Sequence, residues 1–491
     1  MRLSKLLECL KEGKIEGSIE DWDREIYGLF TDSREEMLGG LFVCIKGEKV
    51  DSHTLVGEAE KKGAVAIVAQ KEVHTHLPVI YVEETRRALS ILASAFYGNP
   101  ANRLKIIGIT GTNGKTTTSY MLASILRSSG KKVGVIGTLG VWYDGNCFAP
   151  KLTTPDPIEL HAYFSDMVAA GIEYVVMEVS AHALYYKKTE GIAFTACIFT
   201  NLTQDHLDFF NDMDAYKRAK MGLFSKNCCA LAIVNGDDRV GREIARLREN
   251  EGEQTIFYGL TTPADCFAIV TDDCLTGTEC VFNLNDNLYR ARLSMLGEYN
   301  VYNALAAATC ADLLGLGKGI SAGLYRLRSV SGRLERVSNT EGYEIYVDFA
   351  HTPDGLEKSL QTLKKYCEGR LICLFGCGGN RDKSKRAIMG ERAARLCDFA
   401  ILTSDNPRYE DPLDIIGEIE KGYRRFSNRY VIVPDRETAI DYALDGLRQG
   451  DILLIAGKGG EEYQEIMGIK YPFNDQDKVR KLLEKKGKKS K

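Results

Sequence analysis

A chain of 491 residues, 44% apolar and 27% charged, is too long for a single hydrophobic core and predicts two to four folded domains, which excludes a disordered chain. The net charge of −4, with lysines clustered only in the terminal KKGKKSK, excludes a nucleic-acid-binding surface, and no apolar run approaches the roughly eighteen residues of a membrane span. Residues 1–17 carry Glu8, Lys11 and Glu12 where a signal peptide is apolar, so a cytoplasmic location without membrane insertion is expected. The fourteen cysteines include no CxxC pair, and the seven histidines do not supply zinc-ligand spacing; reduced core thiols and no structural zinc are expected.

The first hundred residues alternate short apolar strands (Leu41 to Ile45, Ala64 to Val68, Val79 to Val82) with polar turns, and a helix is expected over Arg86 to Tyr97. TDSR (Thr31 to Arg34) places two hydroxyls, a carboxylate and a guanidinium in one loop; taken alone it reads as a capped turn. Tyr97-Gly98-Asn99-Pro100 marks a boundary, so residues 1–101 form a small α/β domain.

Residues 102–334 form the second domain, organised around Leu104 to Leu126, LKIIGITGTNGKTTTSYMLASIL. An apolar strand, a glycine turn and a helix N-terminus make a phosphate cradle, because backbone N–H groups there lack partners and the helix dipole favours an anion. Gly111, Thr112, Asn113 and Gly114 form the turn, Lys115 adds a cation, and the Thr116 and Thr117 hydroxyls follow. The strict P-loop pattern asks for glycine at position 109, where this chain has Ile109; the flanking strand and helix still point to ATP or GTP. A loop with two adjacent hydroxyls, Thr153 and Thr154, follows; later strand ends carry Glu178 after Tyr174 to Met177, then Asp205, His206 and Asp208 after Ala196 to Thr200. In open parallel sheets ligands bind beyond the C-terminal strand ends, so these groups share the phosphate edge. The following AYKRAKMGLF holds Lys217, Arg218 and Lys220, and spacing does not single one out.

From 335 to 491, strands at Leu371 to Phe375, Phe399 to Leu402, Tyr430 to Val433 and Ile452 to Ala456 alternate with amphipathic helices, the pattern of a parallel α/β domain. Its strand-end loops are GCGGNRDKSKR, SDNPRYEDP and AGKGGEEY; glycines there allow close backbone approach, and Arg408 offers a planar fork for a carboxylate.

TDSR, GITGTNGKTTT, LTTPDP, MEVSAHAL, FTNLTQDHLD, AYKRAKMGLF, GEYNVYNALAA, SGRLERV, VDFAHTPDGL, GCGGNRDKSKR, DNPRYEDP and AGKGGEEY occur in one order. In that order the chain resembles the Mur ligases, the ATP-dependent amide-forming enzymes of peptidoglycan precursor synthesis, and the family's own loop reads GTNGKT. The resemblance implies an α/β fold of three domains: a small N-terminal one for the uridine nucleotide, a central P-loop parallel-sheet ATPase, and a C-terminal Rossmann-like one for the amino acid. It implies addition of meso-diaminopimelate to UDP-N-acetylmuramoyl-L-alanyl-D-glutamate (UDP-MurNAc-L-Ala-D-Glu) through an acyl phosphate, with ATP as co-substrate and two Mg²⁺ ions. By resemblance Lys115, Glu178, His206 and Lys220 are catalytic. Thr116, Glu178, His206 and Lys220, the last as a carbamate formed with CO₂, serve the metals. Asn303, Arg333 and Asp348 match ATP contacts; Thr31, Ser33, Thr153, Thr154, Ser180 and Lys188 match contacts to the UDP-linked dipeptide. Arg381, Asp405, Asn406, Pro407, Arg408, Gly457 and Glu461 match the amino-acid site, where the DNPR form goes with diaminopimelate, whose second carboxylate takes a bidentate guanidinium. A monomer is expected. Departures from the family pattern are Lys188 for arginine, Tyr186 two residues before it, Phe210 for histidine, Asn380 for aspartate and Gly460 for histidine. The alternatives are a ligase of the same fold adding L-lysine or another diamino acid, and a non-catalytic nucleotide-binding homologue.

Overall fold

A computed structural model of the chain describes residues 1–10, 14–16, 24–47, 49–149, 151–337 and 342–489. By their contacts the residues fall into two compact units, 1–108 with 132–197 and 219–231, and 109–131 with 198–218 and 232–491. This partition follows packing density and differs from the three consecutive segments expected from the sequence.

The first unit contains a five-stranded sheet in the order Lys14–Glu16, Val79–Tyr81, Ala64–Ala69, Gly40–Val43, Gly28–Phe30, parallel except at its first pair. Its central strands are apolar on both faces because both are covered. Leu41, Val43, Ala66, Val68 and Ile80 pack with Leu89 and Leu92 of helix Thr85–Phe96, while Phe42, Ile67 and Ala69 pack with Val56 and Ala59 of helix Val56–Lys61. Asn99, at φ 52°, ends the first of these helices' exit turn ahead of Pro100. The same unit holds Tyr174–Glu178 parallel to Val133–Gly137, followed by the antiparallel strands Gly140–Tyr143 and Asn146–Phe148.

In the second unit the glycine turn leads into helix Lys115–Ser128, whose Met121, Leu122, Ile125 and Leu126 are all buried, as the periodicity predicts. Strand Thr255–Gly259 pairs in parallel with residues 232–235. It is followed by a meander that the periodicity did not reveal: Cys266–Cys274, Gly277–Leu284 and Asn287–Leu293, antiparallel to one another. Asn285 and Asp286, at φ 46° and 68°, make the two-residue turn that matches strand twist.

The last part of the second unit is a six-stranded sheet in the order Glu335–Val337, Glu344–Asp348, Ile452–Ala456, Leu371–Phe375, Phe399–Leu402, Tyr430–Ile432, antiparallel only at the first strand. Cys373, Phe375, Leu402 and Leu454 pack with Leu360, Met389 and Ile416 on one face; Leu374, Ile401, Leu453 and Ile455 pack with Ile440 and Ala443 on the other. The parallel strands therefore end together, and their exit loops carry the residues of the site. All fourteen cysteines are free thiols, and among the described residues no helix is long and apolar enough to cross a membrane.

Candidate active site

The phosphate turn is held from outside its own segment. Thr112 N–H donates to Asn201 O at 2.8 Å, Asn113 N–H donates to Asn201 Oδ1 at 3.0 Å, and the Thr200 hydroxyl donates to Asn113 O at 2.6 Å. Gly111 and Gly114 have φ of 147° and 88°, and a Cβ on either would run into Thr200 Oγ1 or Asn303 Oδ1. The loop accordingly needs glycine at these two positions. Lys115 Nζ donates to the carbonyls of Gly111 and Thr112 at 3.0 and 2.8 Å, which keeps its charge over the turn. Thr116 and Thr117 are buried on the first helical turn.

Asn303 sits beside this turn, accepting from Thr118 Oγ1 at 3.2 Å. Arg333 Nη2 donates to Thr116 Oγ1 at 2.9 Å, and its guanidinium lies 4.5 Å from the Phe349 ring centroid. Asp348, the last residue of its strand, accepts from Leu334 N and Ala350 N at 2.8 and 2.7 Å. Burial pushes its carboxyl up to about 6, against the pull of the Arg333 charge and those backbone donors. Asn113 also donates to Asp354 Oδ2 at 2.9 Å, a carboxylate that the sequence reading did not single out.

His206 caps a short helix at φ 56°, with its Nε2 3.3 Å from Asp205 Oδ2. Asp205 also faces His351 at 3.8 Å and Lys385 at 4.0 Å. Burial acts to raise its pKa, yet the hydrogen bond from His351 and the surrounding positive charges hold this carboxyl well below the usual range. In the helix Met213–Met221, Lys217 is paired with Glu243 at 2.9 Å, whereas Lys220 is 1% exposed. Burial thus separates two lysines that spacing left equivalent.

In the first unit, Glu178 ends its strand almost fully buried and accepts from Thr138 N at 2.9 Å and Thr138 Oγ1 at 3.2 Å. Thr153 Oγ1 is 3.2 Å from Thr138 Oγ1; Thr154 Oγ1 donates to Glu178 O at 2.9 Å and accepts from Ser180 N at 3.0 Å. The expected dipeptide contacts Thr153, Thr154 and Ser180 are therefore neighbours of Glu178. Thr31, Ser33 and Lys188 are brought together elsewhere in this unit, lining a cavity of about 600 Å³ with Arg34, Arg86 and Tyr186. Lys188 Nζ is 2.8 Å from Asp156 Oδ1, and the Arg86 guanidinium stacks 4.0 Å from the Tyr186 centroid. In the TDSR loop Arg34 binds both oxygens of Asp32 at 2.8 and 2.6 Å, which lowers that carboxyl to about 2.

The amino-acid residues expected in the last sheet meet at its strand ends. Asn406 Nδ2 donates to Glu461 Oε2 at 2.8 Å, and Gly457, at φ 114°, lets the backbone approach the Asp405 carboxylate where a Cβ would clash. A Cβ on Gly378 would lie 2.9 Å from Arg408 Nη1 and 3.6 Å from Arg381 Cγ, so that glycine separates the two arginines. Gly379 packs against the carbonyl of Pro407. Lys458, fully buried, donates to Asn406 Oδ1 at 3.0 Å and Glu461 Oε2 at 2.9 Å. Beneath the loops Arg436 and Asp475 form a fully buried ion pair at 2.8 Å, and Arg436 also donates to Ser404 O and Ala456 O. Lys458, Arg436 and Asp475 were not legible as site residues, since nothing local distinguishes them from solvated charges.

Three family descriptions match the chain: "Mur ligase family, catalytic domain" over residues 25–97, "Mur ligase middle domain" over 109–311 and "Mur ligase, glutamate ligase domain" over 332–459. The chain is 43% identical over 493 residues to UDP-N-acetylmuramoyl-L-alanyl-D-glutamate--2,6-diaminopimelate ligase 1 of Clostridium acetobutylicum, covering 98% of each. It is 40% identical to the ligase of the same name, without the numeral, from Bacillus velezensis, covering 97% of each. A solved structure of a UDP-N-acetylmuramoyl-L-alanyl-D-glutamate--2,6-diaminopimelate ligase superposes with a TM-score of 0.70 at 30% identity over 99% of this chain and 100% of that one. MurF ligase from Thermotoga maritima in complex with ADP shares the fold, with a TM-score of 0.63 at 21% identity over 94% of this chain and 98% of that one.

Proposed function

The chain belongs to the Mur ligase family, and from that premise we propose that it joins meso-diaminopimelate to UDP-MurNAc-L-Ala-D-Glu at the expense of ATP, a step of peptidoglycan precursor synthesis in the cytoplasm. The observation that carries this reading is the near-full-length likeness to relatives of that name, with Arg408 standing among Asn406, Glu461 and Arg381 at the strand ends. The domain boundaries go with it: 1–101 for the uridine nucleotide, 102–334 for ATP and 335–491 for the amino acid.

In the first half-reaction a carboxylate oxygen of the D-glutamyl residue attacks the γ-phosphorus of ATP; the bond to the β,γ-bridging oxygen breaks and ADP leaves. In the second, an amine of diaminopimelate attacks the acyl carbon, phosphate leaves with its oxygen, and the nitrogen loses a proton. Two anions must meet in the first step, so positive charge along the line of attack dominates the barrier. Lys115 and the N-terminal end of its helix hold the phosphates, the Thr112 and Asn113 N–H groups being bonded to Asn201, and Arg333 neutralises charge at the same loop. Asn303 is assigned to the adenine by the family match, and Asp348 orients the Arg333 segment through the Leu334 N–H. Thr31, Ser33 and Lys188 hold the uridine-linked substrate, with Thr153, Thr154 and Ser180 on its peptide.

In this reading Thr116, Glu178 and His206 would hold Mg²⁺, the first two offering hard oxygen donors of the kind it takes. Bound Mg²⁺ supplies charge neutralisation at the transferred phosphoryl group. Lys220 is buried; as an ammonium it offers a cation no lone pair, and carbamylation by CO₂, with loss of a proton, would give it an anionic oxygen donor. The chain acts as a monomer in this reading.

The test is ADP release by the purified chain with Mg-ATP. Release is expected only when UDP-MurNAc-L-Ala-D-Glu and meso-diaminopimelate are both present; equal release without either one overturns the ligase reading.

A further inference from the structure

We propose that Glu465 is a positioning residue for Arg408, and that the hairpin carrying it is part of the amino-acid specificity site. The inference rests on the ligase reading above, and goes beyond it by assigning a role to a residue outside the DNPR and AGKGGE motifs.

The hairpin pairs Tyr463–Ile466 with Ile469–Pro472 around Met467 and Gly468, at φ 50° and 78°. A two-stranded hairpin is marginal by itself and needs docking to stay in place. Here it docks on the loop that carries Arg408. Arg408 N–H donates to Glu465 O at 3.0 Å, Met467 N–H to Arg408 O at 2.7 Å, Glu465 N–H to Asn406 Oδ1 at 2.9 Å, and Gln464 Nε2 to Asp405 O at 2.7 Å. Arg408 holds φ 53°, a backbone conformation that side-chain-bearing residues adopt only when neighbours over-determine it.

The side chain is held as firmly. Arg408 Nε donates to Glu465 Oε2 at 3.1 Å and Nη1 donates to Gly379 O at 2.8 Å. A guanidinium has five N–H donors. Two are used by these partners, which leaves three for a carboxylate, one on Nη1 and two on Nη2. Glu465 binds the Nε side, so the guanidinium stands between it and a carboxylate docking on the Nη1–Nη2 end. The guanidinium thus lies between the two anions and binds both. Preorganisation of this kind lowers the cost of binding, and its loss raises KM for the ligand that the fork reads.

The experiment measures KM for meso-diaminopimelate and for ATP, with kcat, in the full chain, Glu465→Leu, Glu465→Gln, Arg408→Lys and the Glu465→Leu/Arg408→Lys double variant. Glu465→Leu is expected to raise the diaminopimelate KM about tenfold, the scale of one charge-assisted hydrogen bond, with kcat and the ATP KM changing less than about twofold. Glu465→Gln, which keeps an acceptor oxygen, is expected to restore part of the loss and to do so if the leucine variant folds poorly. The double variant is expected to be no worse than Arg408→Lys, because residues acting as one unit are not additive. An unchanged or lowered diaminopimelate KM in Glu465→Leu, a matching rise in the ATP KM, or additive effects overturns the proposal. No turnover and no diaminopimelate binding by the wild-type chain overturns the ligase reading and this proposal together; wild-type turnover with an indifferent Glu465 overturns this proposal alone.

Discussion

Arg333 donates from Nη2 to the Thr116 hydroxyl at 2.9 Å, across 217 positions of sequence. The hydroxyl that a P-loop offers to Mg²⁺ is thus in the hands of a guanidinium that also stacks on Phe349. A nucleotide that binds here meets both groups at once. Arg333→Ala is expected to raise the ATP KM about tenfold while the amino-acid KM moves less than about twofold, as read by steady-state kinetics. The reverse pattern places Arg333 outside the nucleotide site.

Lys220 and Lys217 lie one helical turn apart and differ in burial. Lys220→Ala is expected to lower turnover by about 10²-fold or more, since the proposed carbamate ligand of a phosphoryl-stabilising cation is removed. A small carboxylate such as acetate is expected to restore part of it, in place of the carbamate oxygen. Lys217→Ala breaks a pairing with Glu243 on a partly exposed helix face and is expected to leave turnover within about twofold. Full activity in Lys220→Ala removes the carbamate role.

Arg436 and Asp475 are both fully buried, and Arg436 ties the ends of two strands by donating to Ser404 O and Ala456 O. Arg436→Leu leaves the Asp475 charge without its counter-ion in the interior. A loss of about 3–5 kcal/mol is expected in denaturant unfolding of the C-terminal sheet. A loss under about 1 kcal/mol contradicts the strand-end role.

His161 is 1% exposed with neither ring nitrogen hydrogen-bonded, and burial lowers its pKa to about 4. The unfolded chain takes up this proton near 6.5 and the folded chain only near 4, so the unfolded state binds more protons between these values. Stability is therefore full above about pH 6.5 and falls as pH drops toward 4, by up to about 3 kcal/mol from this residue. His161→Leu is expected to flatten the decline of Tm between pH 7 and pH 4.5; an unaltered slope assigns the acid sensitivity elsewhere.

Local patterns were enough to read the strands Leu371–Phe375, Phe399–Leu402 and Ile452–Ala456, because a strand buried on both faces is a plain apolar run. The meander of residues 266–293 escaped for the opposite reason. Ile269 and Val270 are exposed there and Asp272 and Asp273 lie within the strand, so polarity masks the pleat; only the Asn285-Asp286 turn signalled it. The phosphate turn was legible from its glycines and GKTTT. Its supports Asn201 and Asp354 were not, since they reach it from positions 88 and 241 residues away, and Arg333 was named only through the family resemblance. Glu465 escaped in the same way: it lies in a partly exposed hairpin, and only the fold brings its carboxylate to Arg408.

The central claim is that this site makes an amide with a diamino acid whose far end carries a carboxylate. Its most direct test is an amino-acid panel with UDP-MurNAc-L-Ala-D-Glu and Mg-ATP, the product weighed by mass spectrometry. The account predicts that meso-diaminopimelate is added with a kcat/KM about 10²-fold or more above L-lysine, since lysine leaves the Arg408 fork without its carboxylate. Equal addition of L-lysine contradicts it.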